Sequence, residues 1–252
     1  MKIVIVSPAP PYRGGIAAHT SLLIRELNKA HSILCINFTR QYPYYFFPGK
    51  TQYLIPPVNQ ENAERIIDSI NPFSWRKAAK RILNFSPDAV LFRFWNPFFS
   101  ICLNSIAKRI SKSIKKIALC DNIIPHERNI LDKKLIKYLF NNMDGFIVQS
   151  TIVEYELLKF YPKAKYIKLF HPIYDYLEPL INKDIAKKEL KIKNSYVALF
   201  FGLIRDYKGL DVLLKSLTKF KKQKNNFKLI IAGECYSKKN KYLDLIDKYK
   251  LQ

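Results

Sequence analysis

Short, nearly uninterrupted apolar runs, each leading into a segment of helical periodicity, recur along the chain. Such alternation restricts it to an α/β fold with a parallel sheet. Ile3–Val6, Asp88–Phe92, Ile117–Cys120, Gly145–Val148, Ile167–Phe170, Tyr196–Phe201 and Phe227–Ala232 read as strands, with Tyr196–Phe201 suited to burial on both faces. Helices follow over about 16–29, 72–84, 98–111, 131–142, 183–191, 209–222 and 239–250, with Pro72 at a first turn and Ser150 as a cap. The stretch His171–Pro179 has two prolines and no periodicity, so it reads as a linker. The expected organisation is two Rossmann-like units, 1–175 and 176–252, the second incomplete with only two clear βα steps.

The first strand runs into Ser7-Pro-Ala-Pro-Pro-Tyr-Arg-Gly-Gly15 and then a helix. This is not G-x-G-x-x-G, and no acidic residue ends the second strand, Ile33–Phe38, where a ribose would be held. Nicotinamide and flavin chemistry are therefore disfavoured. A tight strand-to-helix turn needs one glycine. Gly14 and Gly15 together also let backbone N–H groups come close to a bound group.

After Phe201 the chain reads Gly-Leu-Ile-Arg-Asp-Tyr-Lys-Gly-Leu-Asp-Val-Leu-Leu214. Gly202, Arg205 and Lys208 fall between a strand's carboxyl end and a helix start, where open α/β sheets bind ligands. A glycine, two cations and a helix dipole suit an anion such as a diphosphate. The alternative is a solvated loop edge.

Asp121-Asn-Ile-Ile-Pro-His126-Glu127 leaves another strand end with a carboxylate and an imidazole close in sequence, above the baseline for an isolated structural histidine. The ring- and proline-rich segment 39–60 is a poor helix and a doubtful strand; packing over the sheet is favoured over contact with something apolar outside.

A formal net charge of +23 points to an acidic partner: an anionic membrane surface, nucleic acid or phosphorylated substrates. Lys108, Arg109, Lys112, Lys115 and Lys116 form a basic cluster that would suit a membrane interface or a solvated helix face. No helix-turn-helix, zinc or RNP-type signature accompanies the charge, so no specific nucleic acid is expected. The four cysteines, Cys35, Cys102, Cys120 and Cys235, lack zinc spacing, and Cys35 and Cys120 read as core thiols of a reducing compartment. No apolar stretch reaches spanning length and no signal peptide is visible, so a cytoplasmic protein, either soluble or peripheral on a membrane face, is expected.

Gly14-Gly15, Phe201–Leu214 and Leu229-Ile-Ile-Ala-Gly-Glu234 together resemble the retaining glycosyltransferases of family 4, which have the GT-B fold. The resemblance implies transfer of a hexose from a nucleotide-sugar to an acceptor hydroxyl, with retention. The acceptor would be a glycolipid or growing surface polysaccharide. It makes Gly14, Gly15, Gly202, Arg205 and Lys208 substrate-binding residues, with Arg205 and Lys208 neutralising the departing nucleoside diphosphate. No cofactor and no metal are expected. Asp121 and His126 become the catalytic candidates: the family usually has a histidine directly after the strand, where this chain has Asp121. The family's Glu-x7-Glu pair is absent, and the sequence resembles a C-terminally truncated transferase. The rival reading is a catalytically incomplete fragment or partner subunit acting as a binding or scaffold protein.

Overall fold

Alternate side chains of Lys2–Val6 (β1) enter two different cores in the computed structural model. Val4 and Val6 face one layer and Ile5 the other, none more than 1% exposed. A strand buried this way must be central. β1 pairs in parallel with Ser32–Arg40 (β2) on one side and Ala89–Phe94 (β4) on the other. Beyond them lie Ala63–Asp68 (β3), Lys115–Cys120 (β5), Gly145–Val148 (β6) and Tyr166–Lys168 (β7). The seven strands run β3-β2-β1-β4-β5-β6-β7, all parallel, so the order reverses between β1 and β4 as in a doubly wound Rossmann sheet. The structure describes residues 1–47, 49–125, 130–174, 179–193, 196–221, 227–236 and 239–251.

Helices cover both faces. Gly15–Leu27 (α1) lays Leu23, Ile24 and Leu27 on Ile5, Ile33, Cys35, Leu91 and Leu119. Pro72–Phe85 (α2), Ser100–Ala107 (α3) and Asp132–Phe140 (α4) cover the opposite face through residues such as Ile82, Leu103 and Leu139. Asn71 starts α2 by accepting from the Phe73 N–H, with Pro72 supplying a preset φ. Thr151–Phe160 (α5) completes the layer, capped by Ser150 through the Val153 N–H.

The chain parts into two units. The first ends at Pro172 rather than at 175, and Gly49 and Lys50 group with the second, which otherwise begins at Ile173. This second unit contains Lys183–Glu189 (α6), Tyr196–Phe201 (β8), Leu210–Lys221 (α7), Phe227–Ala232 (β9) and Lys239–Lys248 (α8). β8 and β9 pair in parallel, Tyr196 opposite Phe227 through Phe201 opposite Ala232. Ile204, Leu210, Leu214 and Tyr242 are its buried hydrophobic centre among the described residues.

Three expectations change. A strand, β3, exists at 63–68, where acidic and basic residues hide an edge strand that buries only Ile67 fully. The ring-rich segment divides. Tyr42 and Tyr53 pack on the core, while Tyr44 and Tyr45 are 84% and 94% exposed. The basic cluster is not one surface. Lys116 is buried, its ammonium donating to the Ser111 and Ile114 carbonyls, and Lys108 lies 4.8 Å over the Tyr138 ring. The core reading of Cys35 and Cys120 fits: both are 0% exposed, and burial pushes the Cys35 thiol up to about 12.

Candidate functional site

At the carboxyl edge of the first sheet, beside the reversal point, the loop after β1 is tied down before it reaches α1. The Asn37 side chain accepts from the Ala9 N–H and donates to the Ala9 and Pro10 carbonyls. Ser7 and Thr20 join hydroxyls at 2.7 Å, which fixes the loop's start to the helix it feeds. Gly14 has φ +108°, which only glycine adopts without strain. A Cβ at Gly14 or Gly15 would meet nothing within 4 Å. Packing therefore demands no glycine at 15, and open space lies beside the first N–H groups of α1. Such N–H groups have no partner within the helix.

One turn into α1, His19 reaches a cluster that no sequence motif announced. Arg93, on β4 and 2% exposed, grips both oxygens of Asp121 at 2.7 and 2.5 Å. Its Nη1 donates to His19 Nδ1 at 2.6 Å. Because a guanidinium only donates, His19 must accept there and carry its proton on Nε2. Gln149, after β6, places its amide 3.3 Å from that Nε2, and its Oε1 is buried without a partner. Turning the amide so that oxygen faces Nε2 satisfies both groups. The His171 ring lies 5.0 Å from that of His19 and closes the cluster. Burial first, then Arg93 and His171, lower the His19 pKa to about 4.

That depression sets a pH dependence. Above about 6.5 the imidazole is neutral whether the chain is folded or not. Between about 6.5 and about 4 the unfolded chain takes up a proton that the folded chain refuses, so stability falls with pH across that window. Urea midpoints followed by tryptophan fluorescence should show this fall, and His19→Gln should flatten it relative to the parent. Parallel curves for parent and variant would contradict the assignment.

In the second unit, the exits of β8 and β9 are zipped together. The Gly202 N–H donates to Ala232 O, Ile204 N–H to Glu234 O and Tyr236 N–H to Ile204 O, each at 2.9 Å. Asp206–Lys208 forms a 3-10 turn, and Gly209, at φ +71°, turns the chain into α7. The Asp206 carboxylate accepts from Tyr242 and Lys241 of α8, both at 3.0 Å, anchoring the turn. Lys208 then folds back: its ammonium would stand 3.4 Å from a Cβ on Gly202, whose φ is +108°. Arg205 lies over the Tyr236 ring at 5.1 Å, a cation–π contact that aligns the guanidinium.

The structure thus brings Lys208 onto Gly202 and seats Arg205 on Tyr236. Asp121 comes to the helix that Gly14 and Gly15 begin, through Arg93 and His19. His126 lies outside the described residues. Both Asp121 oxygens accept from Arg93, whose Nη1 in turn donates to His19. His19, Gln149, His171 and Tyr236 were not legible as site residues. Arg93 left one trace, a cation inside the apolar Phe92-Arg93-Phe94 strand, which must be paired when buried.

Residues 182–252, nearly the whole second unit, match the profile of the family described as Glycosyl transferases group 1. Among solved structures, Anabaena Alr3699/HepE, solved in complex with UDP and glucose, aligns with 100% of the chain at TM-score 0.73 and 13% identity, over 67% of its own length. An alpha-glucosyltransferase solved with UDP-glucose and DNA containing an abasic site aligns with 99% of the chain at TM-score 0.59 and 11% identity, over 60% of its own length. The UDP-GlcNAc 2-epimerase from Methanocaldococcus jannaschii aligns with the full chain at TM-score 0.54 and 12% identity, over 69% of its length. No curated protein sequence matches the chain. At such identities the likeness is one of fold, and the chain spans about two thirds or less of the first two proteins.

Proposed function

We propose that the chain transfers a hexosyl group from a nucleotide-sugar to an acceptor hydroxyl, with retention at the anomeric carbon, as a family 4 glycosyltransferase would. The bond from anomeric carbon to diphosphate oxygen breaks, and a bond from that carbon to the acceptor oxygen forms. The nucleoside diphosphate departs with the electron pair, and the acceptor proton leaves with it or with solvent. The observation that carries this reading is the Lys208 ammonium standing over the bare Gly202 turn, inside the segment that matches the group 1 profile.

Lys208 and Arg205 have different tasks at that turn. The ammonium is a compact charge that follows a phosphate oxygen, and the ring-backed guanidinium offers a planar fork. Together they stabilise charge that grows on the leaving diphosphate, with no rearrangement needed at the moment of bond breaking. In the first unit, Gly15 and the start of α1 receive substrate, and the Arg93–Asp121 pair holds His19 in one tautomer beside it. His126 is assigned to the acceptor side. The acceptor is a glycolipid or saccharide, and the reaction is placed at the inner membrane face.

Calorimetric titration with UDP, the nucleotide in several fold relatives, tests the reading directly. Loss of one charged hydrogen bond costs about 1–3 kcal/mol, so Lys208→Ala or Arg205→Ala should weaken binding by roughly five- to 150-fold. Unchanged affinity in both variants would remove the diphosphate site and the transfer reading with it.

A further inference from the structure

We propose that Tyr236 is a positioning residue, holding Arg205 so that the turn after β8 favours a ligand with two phosphates over a ligand with one. The inference rests on the diphosphate reading of that turn and adds what makes the turn selective.

The placement of the ring follows from the register of the strands. β8 and β9 end opposite one another at Phe201 and Ala232, yet their pairing does not stop there. Beyond Gly202 and Gly233 a further parallel bridge joins Ile204 to Cys235. The Ile204 N–H donates to Glu234 O across it, and the Tyr236 N–H donates to Ile204 O. Arg205, at φ −130° and ψ 154°, is still extended. Side chains alternate along extended backbone, so bridged residues share one face and their successors take the other. Ile204, 7% exposed, and Cys235 both pack in the core of this unit, which sends Arg205 and Tyr236 together to the opposite side. There the guanidinium carbon settles 5.1 Å from the ring centroid. The main chain thus fixes the root of the ring, and the ring fixes the cation.

The surroundings leave Arg205 ready for a ligand. The adjacent carboxylate, Asp206, turns to α8 and accepts from Lys241 and Tyr242. A ring face attracts a guanidinium without offering it a conventional acceptor, so the planar fork keeps its donors. Lys208 is of another kind. Its ammonium is a point charge on a flexible stem and can follow one phosphate wherever that group sits. Arg205 is set in advance, and a second phosphate gains its fork without the entropy cost of stilling a long side chain. A lone phosphate is served by Lys208 and gains little from the ring.

Calorimetric titration of the full chain with UDP and with UMP is the test. Tyr236→Leu should weaken UDP binding roughly three- to tenfold, the cost of immobilising one long side chain, and move UMP binding by no more than about twofold. Tyr236→Phe keeps the ring and should bind both nucleotides as the parent does. In an Arg205→Ala background, Tyr236→Leu should cost nothing further, because the ring then has no cation to hold. An equal loss for UDP and UMP, or a loss that persists in the Arg205→Ala background, would mean that Tyr236 supports the unit or stacks on the nucleobase, and overturns the proposal. So would a Tyr236→Leu variant that binds UDP like the parent while Arg205→Ala weakens it. Parent-like UDP binding in both Arg205→Ala and Lys208→Ala is a different failure: it removes the diphosphate site itself, and this inference with it.

Discussion

Arg93→Ala should destabilise the first unit by about 3–5 kcal/mol, the cost of leaving one charge of a buried pair alone. The guanidinium is 2% exposed, and its removal strands the Asp121 carboxylate and the His19 Nδ1 at once. Trp75 and Trp95, the chain's two tryptophans, both lie in this unit, so their fluorescence in urea reports its unfolding. Arg93→Lys should recover little, because an ammonium cannot grip both carboxylate oxygens and still reach His19. Arg93→Met combined with Asp121→Leu separates two quantities. If the pair is kept for stability, the double variant stays as weak as Arg93→Ala. If it is kept to orient His19, stability returns toward the parent's while the pH dependence set by His19 changes. The second result is expected, because replacing a buried ion pair by apolar groups of similar size is often neutral or better. An Arg93→Ala midpoint equal to the parent's would show the pair to be solvated, contrary to its burial.

The same cluster shows why the fold was more legible than the site. β1, β8 and β9 declare themselves by apolar runs, and α2 by Pro72 at its first turn, because those signals are local. β3 escaped since an edge strand needs only one buried side chain, here Ile67, and the remainder can be charged. His19, Arg93 and Gln149 are separated by 74 and 130 positions in their contacts, and only the sheet order makes them neighbours. That Gly202, Arg205 and Lys208 share one turn was readable because they lie within eight residues or fewer, so spacing alone carries most of that geometry. The rings of 39–60 divided between core and surface because Tyr42 finds Phe98 and Phe99 on the β4–α3 connection, a contact no local pattern contains.

Gly233 is the strongest case of a residue whose importance lies in a contact across the sheet. A Cβ built there would sit 1.8 Å from Gly202 O and 2.7 Å from its carbonyl carbon. Those are backbone atoms, and they cannot rotate away. Gly233→Ala must therefore part the exits of β8 and β9 and break the Ile204 and Tyr236 hydrogen bonds that zip them. Because the buried centre of this unit among the described residues is small, Ile204, Leu210, Leu214 and Tyr242, it has little stability in reserve. The expected result is a loss of about 3 kcal/mol or more, at the upper end of overpacking costs, with UDP binding abolished. Tryptophan fluorescence of the first unit should keep its midpoint while amide exchange in α7 and α8 accelerates. Gly202→Ala makes the contrast: its Cβ meets the Lys208 ammonium at 3.4 Å, the far end of a flexible chain, and the strain comes from φ +108° alone. That variant should keep the unit folded, at a cost of about 1–3 kcal/mol, and lose affinity by displacing Lys208 from its place over the turn. If Gly233→Ala folds and binds as the parent does while Gly202→Ala does not, the two strand exits are not held as described. The proposed diphosphate site would then depend on Lys208 alone.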